Sequence, residues 1–393
     1  MKKFGLTVTV ILIAAICLLS LPAFAENNAN SYVDGEIYGF VKDFCEKFPN
    51  RQAGLRGEPS SDSVQEYLKE RLSQYCDSVD LEQFKITEYT FGYNIVGGIK
   101  KSGADKQIII GAHYDSVGQG ANDNACGVAA LLSIAKNLSN GKDKLPCDVV
   151  FVLFDAEENG MTGSYNYVYG MSDADKENTL VMFNLDSIAN GDSLYLWCEN
   201  KHTDLADLIV SKSDKLSEKP YANGTYDYDL YGYGYYERIQ ASDHTPFRLA
   251  GIPTALIFSG AYNAAVWDYA ESADPSKNVM NTANDTFANL DAKNGAEFVA
   301  KTEAAVTAVT DAVLSAEFLT VAANQRSQLV NLELWYNFLW PTLIVLALFI
   351  ALVIVVILYY RKLQKRAILG TAAVKTNKVF STPDAEDIFT FKD

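Results

Sequence analysis

Short apolar runs alternate with polar, glycine-rich segments along the middle of the chain. Continuous or period-two apolar runs of four to eight residues predict strands, and apolar residues that recur every three or four positions predict helices. On this basis we expect strands at 93–99, 107–112, 148–154, 180–186 and 252–258, and helices at 32–47, 63–75, 123–138, 161–169, 202–216 and 296–319. Such alternation predicts an α/β fold, a mostly parallel or mixed central sheet with helices on both faces.

Both ends of the chain depart from this pattern. Residues 1–25 combine two lysines, a long apolar run and a small-residue cleavage site, which is typical of a secretory signal peptide, with an uncleaved N-terminal anchor as the alternative. Residues 339–360 contain no charge, carry aromatic residues at both ends and are followed by a basic cluster, which predicts a transmembrane helix with a cytoplasmic C-terminus. We therefore expect an extracellular domain at 26–338 and a cytoplasmic tail at 361–393 of a single-pass protein in the cell membrane.

Charge then narrows the choice of partners. Residues 26–340 contain 24 basic and 45 acidic side chains, so the body of the protein would repel a phosphate backbone and nucleic acid is excluded as a partner. Five cysteines follow the predicted signal peptide. Their odd number leaves at least one thiol unpaired, and their spacing shows neither a disulfide framework nor a C-x-x-C zinc pattern. The oligomeric state is left open.

Carboxylates and two histidines cluster next to the predicted strands. Most follow a strand end and two precede a strand: His113, Asp115, Asp123, Asp155, Glu157, Glu158, Asp186, Asp243 and His244. Because the carboxyl ends of parallel strands share one edge of a sheet, these groups can converge. Crowded carboxylates and imidazoles repel and desolvate one another unless a cation neutralises them. Imidazole and carboxylate without thiolate suit Zn²⁺, Mn²⁺ or Co²⁺, so the sequence predicts a metal site.

Five segments in this order, AHYDS, GANDNACGVAALL, FDAEENGMTGS, NLDSIA and SDHTPF, closely resemble peptidase family M28. FPNRQAG and NTANDTFANLD resemble further segments of that family. The resemblance implies a phosphorylase/hydrolase-like α/β fold and two Zn²⁺ per chain, with Asp123 as the bridging ligand and often a cis peptide at that residue. It implies the remaining metal ligands as well: His113 and Asp186 for one ion, Glu158 and His244 for the other. Glu157 would be the general base and Asp115 would support the His113 ring.

The function implied by this resemblance is an aminopeptidase that removes N-terminal residues of peptides through a hydroxide bridging the two ions. A carboxypeptidase, a glutaminyl-cyclase-like enzyme and a non-catalytic receptor-like relative are the alternatives. Where many relatives have His-Thr, this chain has Asn281-Thr282, which alters a substrate contact. The Tyr-rich run at 221–237 is either a surface patch or a wall of the substrate pocket. In the second case Tyr231, Tyr233 and Tyr235 contact substrate.

Overall fold

The computed structural model describes residues 34–53, 59–198, 203–218, 242–261, 272, 274–334 and 338–379. The chain divides into two compact units, residues 1–327 and 328–393. The predicted signal peptide, the Tyr-rich run and the end of the cytoplasmic tail lie outside the described residues.

Eight strands in the first unit form one mixed sheet in the order β1-β2-β4-β3-β5-β8-β6-β7. Their bounds are β1 Ser78–Lys85, β2 Phe91–Ile99, β3 Gln107–His113, β4 Asp148–Phe154, β5 Thr179–Leu185, β6 Ser193–Cys198, β7 Leu216–Glu218 and β8 Thr254–Gly260. The four central strands, β4, β3, β5 and β8, are mutually parallel, whereas β2 and β6 flank them in antiparallel pairing. The predicted mixed sheet is confirmed.

Helices cover both faces of this sheet, as predicted. Their bounds are α1 Asp34–Lys47, α2 Val64–Ser73, α3 Gly127–Asn140, α4 Thr162–Gly170, α5 Asp173–Asn178, α6 Asp204–Val210, α7 His244–Leu249, α8 Phe287–Asn294, α9 Ala296–Val313 and α10 Phe318–Leu334. Neighbouring isoleucines of β3 point to opposite faces. Ile108 and Ile110 join the core under α3 and α9, and Ile109 joins the smaller core with Val168 of α4 and Phe247 of α7.

The structure also corrects several predicted elements. Strands β1, β6 and β7 were not predicted; β1 is a mostly exposed edge strand in which Val79 and Leu81 alternate with polar residues but are only partly buried. The helix predicted at 202–216 is shorter, because α6 ends at Val210 and the chain then enters β7. The helix predicted at 296–319 ends at Val313, and a separate helix begins at Phe318.

The second unit contains a long helix, α11 Trp340–Val379. Its segment from Trp340 to Leu369 is long and apolar enough to cross a membrane, and its large apolar side chains are exposed. Helix α9 is also rich in apolar residues, but its side chains are buried in the core of the first unit. By length and composition, the segment from Trp340 to Leu369 is therefore a candidate membrane span.

Candidate metal centre and active site

His113 lies at the carboxyl end of the central strand β3, where the chain leaves the sheet. Its side chain is buried, with Nε2 3.0 Å from Asp123 Oδ1 and 3.4 Å from Asp186 Oδ1. Each of these three residues offers a ligand atom, and these atoms all lie within 4.8 Å of one another. One imidazole and two carboxylates at this spacing form a suitable donor set for Zn²⁺.

Asp115 connects His113 to the acidic pair that follows β4. Its buried carboxylate lies 3.5 Å from His113 Nδ1, and the same ring nitrogen is 3.1 Å from the Asp115 carbonyl oxygen. The two carboxylate oxygens accept hydrogen bonds from the backbone N–H groups of Glu157 at 3.0 Å and Glu158 at 3.2 Å. Asp115 thus fixes the imidazole and the backbone of the acidic pair at once, as carboxylates behind metal-binding histidines do.

Asp123 lies in a kinked turn, Ala121–Cys126, between β3 and α3, and its own backbone angles, φ −113° and ψ 84°, are not helical. The peptide bond from Asp123 to Asn124 is cis, at the residue where the family resemblance implied one. The N–H groups of Asn122 and Asp123 donate to the two oxygens of the buried Asp285, both at 2.9 Å. Asp285 was not predicted from the sequence to be part of the site. Its only signal was its position in NTANDTFANLD.

Glu157 and Glu158 are half-buried and follow a residue with unusual backbone geometry, Ala156 at φ 59°. A left-handed backbone conformation costs a non-glycine residue conformational energy, and residues in this conformation concentrate at functional sites. Burial, together with nearby carboxylates such as Asp186 and Asp123, raises the pKa of Glu157 well above its usual value. Burial and Asp123 raise the pKa of Glu158 to about 8. Bound cations would favour the ionised form of both side chains.

Asp186 directly follows β5, and its Oδ2 accepts a 2.5 Å hydrogen bond from Ser242 Oγ. Ser242 accepts in turn from Asn184 Nδ2 at 2.7 Å. Burial alone would raise the pKa of Asp186, but the proximity of His113 and the hydrogen bonds from His113, Ser242 and Ser187 outweigh burial and hold the pKa below its usual value. Asp186 is therefore stabilised as a carboxylate, the form that binds a metal.

His244 begins α7, two residues after Ser242, and its side chain is fully buried. Within the described part of the chain, neither ring nitrogen of His244 has a hydrogen-bond partner. Burial lowers its pKa to about 3, so the ring is neutral. A buried imidazole of this kind is compatible with a metal ligand. However, neither His244 nor Glu158 belongs to the described group of three ligand atoms around His113.

Of the residues predicted to contact substrate, Tyr231, Tyr233 and Tyr235 lie outside the described residues. Asn281 is exposed and adopts φ 56°, so the backbone there is also unusual for a non-glycine residue. The residues after Asn281 approach the loop that follows β3, because a Cβ atom placed on Gly118 would lie 3.7 Å from the Ala283 Cα. Asn281 therefore lies in a segment that adjoins the loop between His113 and Asp123.

Sequence comparison identifies the family of the chain. The profile described as peptidase family M28 matches residues 94–305, more than half of the chain. The chain belongs to peptidase family M28. Among relatives, leupeptin-inactivating enzyme 1 of Streptomyces exfoliatus is 29% identical over 245 residues, which cover 61% of this chain and 50% of that protein. Aminopeptidase YwaD of Bacillus subtilis is 33% identical over 176 residues, or 42% of this chain and 35% of that protein.

A solved structure has a similar fold. A Zn-dependent exopeptidase from Parabacteroides distasonis superposes with a TM-score of 0.51 over 72% of this chain and 98% of that one, at 18% identity. This similarity supports the fold. The chain spans about half the length, or less, of the curated M28 relatives named above.

Proposed function

We propose that this M28 chain is an extracytoplasmic, zinc-dependent aminopeptidase. The observation that carries the proposal is the group formed by His113, Asp123 and Asp186 at the carboxyl edge of the sheet. Parallel α/β sheets bind their ligands at this edge. The related aminopeptidase and leupeptin-inactivating enzyme support a peptide-like substrate.

The donor set around His113 fits zinc, and these three side chains would hold the first ion. The neutral, buried His244 fits a ligand of a second ion, and so does Glu158, whose carboxyl group lies close enough to Asp123 for that residue to be shared between the two ions. When bound, zinc supplies Lewis acidity that polarises a carbonyl group and lowers the pKa of water. The stoichiometry of two ions per chain is a prediction that metal counting tests.

Glu157 is proposed to move the proton during hydrolysis. Its carboxylate would accept a proton from the attacking water and then donate it to the nitrogen of the leaving amine, which contributes about 10²- to 10⁴-fold to such reactions. The backbone N–H of Glu157 is fixed by Asp115, so the side chain starts from a defined position. The acidic edge of the sheet would also attract the positively charged α-amino group of a peptide.

The site would face outside the cell. The apolar part of α11 has the length and composition of a membrane span, and the predicted signal peptide would export the residues before it. Lysines and arginines follow the predicted span at 361–366, which favours a cytoplasmic C-terminus. The peptidase domain would therefore be anchored to the outer face of the membrane.

A panel of chromogenic substrates with free and blocked N-termini tests this proposal on the full-length chain. We expect cleavage of substrates with a free amino group, and we expect Glu157→Gln to lower kcat by about 10²- to 10⁴-fold without loss of metal. Cleavage of N-blocked peptides at their C-terminal residue would instead indicate a carboxypeptidase. Full activity in Glu157→Gln would contradict the role of this side chain.

A further inference from the structure

Arg51 is a fully buried cation in FPNRQAG, a segment to which the proposed function gives no role. Burial of a guanidinium group is unfavourable unless hydrogen bonds replace its hydration. Four of its hydrogen bonds go to main-chain carbonyl oxygens. Nε donates to Tyr114 at 2.7 Å, Nη1 donates to Gln119 at 2.6 Å and to Phe48 at 3.3 Å, and Nη2 donates to Gly120 at 2.9 Å.

Three of these carbonyls belong to the two ends of one loop. Tyr114 directly follows His113, and Gln119 and Gly120 precede the turn that contains Asp123. The carbonyl oxygen of Gly120 also accepts from the N–H of Ala125 at 3.0 Å, so the same oxygen closes the turn around Asp123. The planar side chain of Arg51 thus connects the backbone next to His113 to the backbone next to Asp123.

The side chain is also fixed on its other face. The guanidinium carbon lies 4.7 Å from the centroid of the Phe44 ring, which belongs to α1 and is itself fully buried. The loop leaves no spare room around it. Gly120 adopts φ 53°, and a Cβ atom there would lie 2.9 Å from Arg51 Nη2 and 2.3 Å from the Asp123 carbonyl oxygen.

We infer that Arg51 is a positioning residue of the metal centre: it sets the separation of His113 and Asp123 by clamping both ends of the loop between them. The inference rests on the proposed metal site. A guanidinium group has five donors in a fixed fork, whereas a lysine ammonium is a point charge on a flexible stem. Lysine would therefore keep the charge at this position but lose the clamp.

The test uses the full-length chain in detergent, with variants Arg51→Lys and Arg51→Met. The matched control is Arg326→Lys. Arg326 Nη1 also donates to a backbone carbonyl, that of Thr179 at 2.7 Å, but at the start of β5 and so at the opposite edge of the sheet from the site. Three quantities are measured for each protein: the zinc Kd by competition with a chelator, the absorption spectrum of the Co²⁺-loaded protein, and the thermal midpoint of the chelated protein.

We expect Arg51→Lys to weaken zinc binding roughly tenfold, in the range seen for residues that orient metal ligands, and Arg51→Met to weaken it further. The Co²⁺ spectrum should change in both Arg51 variants. Arg326→Lys should lower the thermal midpoint but leave the zinc Kd and the spectrum unchanged. Arg51→Lys retains a buried cation, so it decides the question if Arg51→Met does not fold.

Wild-type zinc affinity and spectrum in Arg51→Lys would overturn the clamp. An equal loss of zinc affinity in Arg326→Lys would also overturn the clamp, because the loss in both variants would then reflect general destabilisation of the fold. If the wild-type chain itself bound no zinc, the proposed metal site would fail and this inference with it. That result is distinguishable from a failure of the clamp alone.

Discussion

The two histidines at the carboxyl edge of the sheet differ in how their surroundings hold them. His113 lies against three carboxylates, those of Asp115, Asp123 and Asp186, within 3.0 to 3.5 Å. His244 is equally buried, yet neither of its ring nitrogens has a hydrogen-bond partner in the described part of the chain. The pKa of His113 is raised well above its usual value by these carboxylates despite its burial, whereas burial lowers that of His244 to about 3.

This difference separates two kinds of ligand position. Around His113 the protein itself supplies the charge and the orientation, so the geometry of one metal site is built into the fold. Around His244 the protein supplies a neutral, desolvated imidazole whose partner is not among the described residues. We therefore expect the first position to dominate metal affinity.

The largest effect is expected for Asp123→Ala, because Asp123 is the predicted bridge between two ions. This variant should lose both ions and at least a thousandfold in kcat/KM, about 4 kcal/mol of transition-state stabilisation. Metal content by mass spectrometry and hydrolysis of a free-amino substrate measure the two effects. Asp105→Ala, at an exposed position away from the site, is the control and should match the wild type. Loss of only one ion in Asp123→Ala would argue against a bridging role.

A smaller loss of zinc affinity, which differs between the two ions, is expected when each histidine is replaced by glutamine. If three protein ligands and one water share about 10–16 kcal/mol of zinc binding, one ligand contributes roughly 3 kcal/mol, so His113→Gln should weaken binding of the tighter ion about a hundredfold. His244→Gln should leave the Kd of that ion within about threefold. Zinc titration of both chelated variants measures this, with the thermal midpoint as a check on folding. Equal losses in the two variants would remove the distinction between the sites.

Part of this arrangement was predictable from the sequence, because the strands and motifs that carry it are strong local signals. The apolar run at 108–110 predicts β3, and the polar loop after it contains His113. Asp186 follows the apolar run that predicts β5, so it was expected at the same edge of the sheet as His113. The roles of Asp285 and Arg51 were not predictable from spacing. Both act on main-chain atoms of distant segments, and a hydrogen bond to a backbone amide or carbonyl leaves no side-chain pattern at the other end.

The sheet edges were missed for a related reason. The alternation of apolar and polar residues in strand β1 is weak, because most of its side chains are exposed, and β7 has only three residues. Their pairing is fixed by neighbours, β2 for β1 and β6 for β7, that the local sequence does not reveal. The central parallel strands, buried on both faces, give the apolar runs from which they were predicted.

The most direct test of the central claim is the zinc dependence of peptide hydrolysis by the full-length wild-type chain. Zinc is removed with a chelator, the metal content is counted, and cleavage of a free-amino aminoacyl substrate is followed as zinc is restored. We predict that hydrolysis is lost with the metal and returns as the site around His113, Asp123 and Asp186 is refilled. Undiminished hydrolysis by the chelated, zinc-free chain would contradict the account.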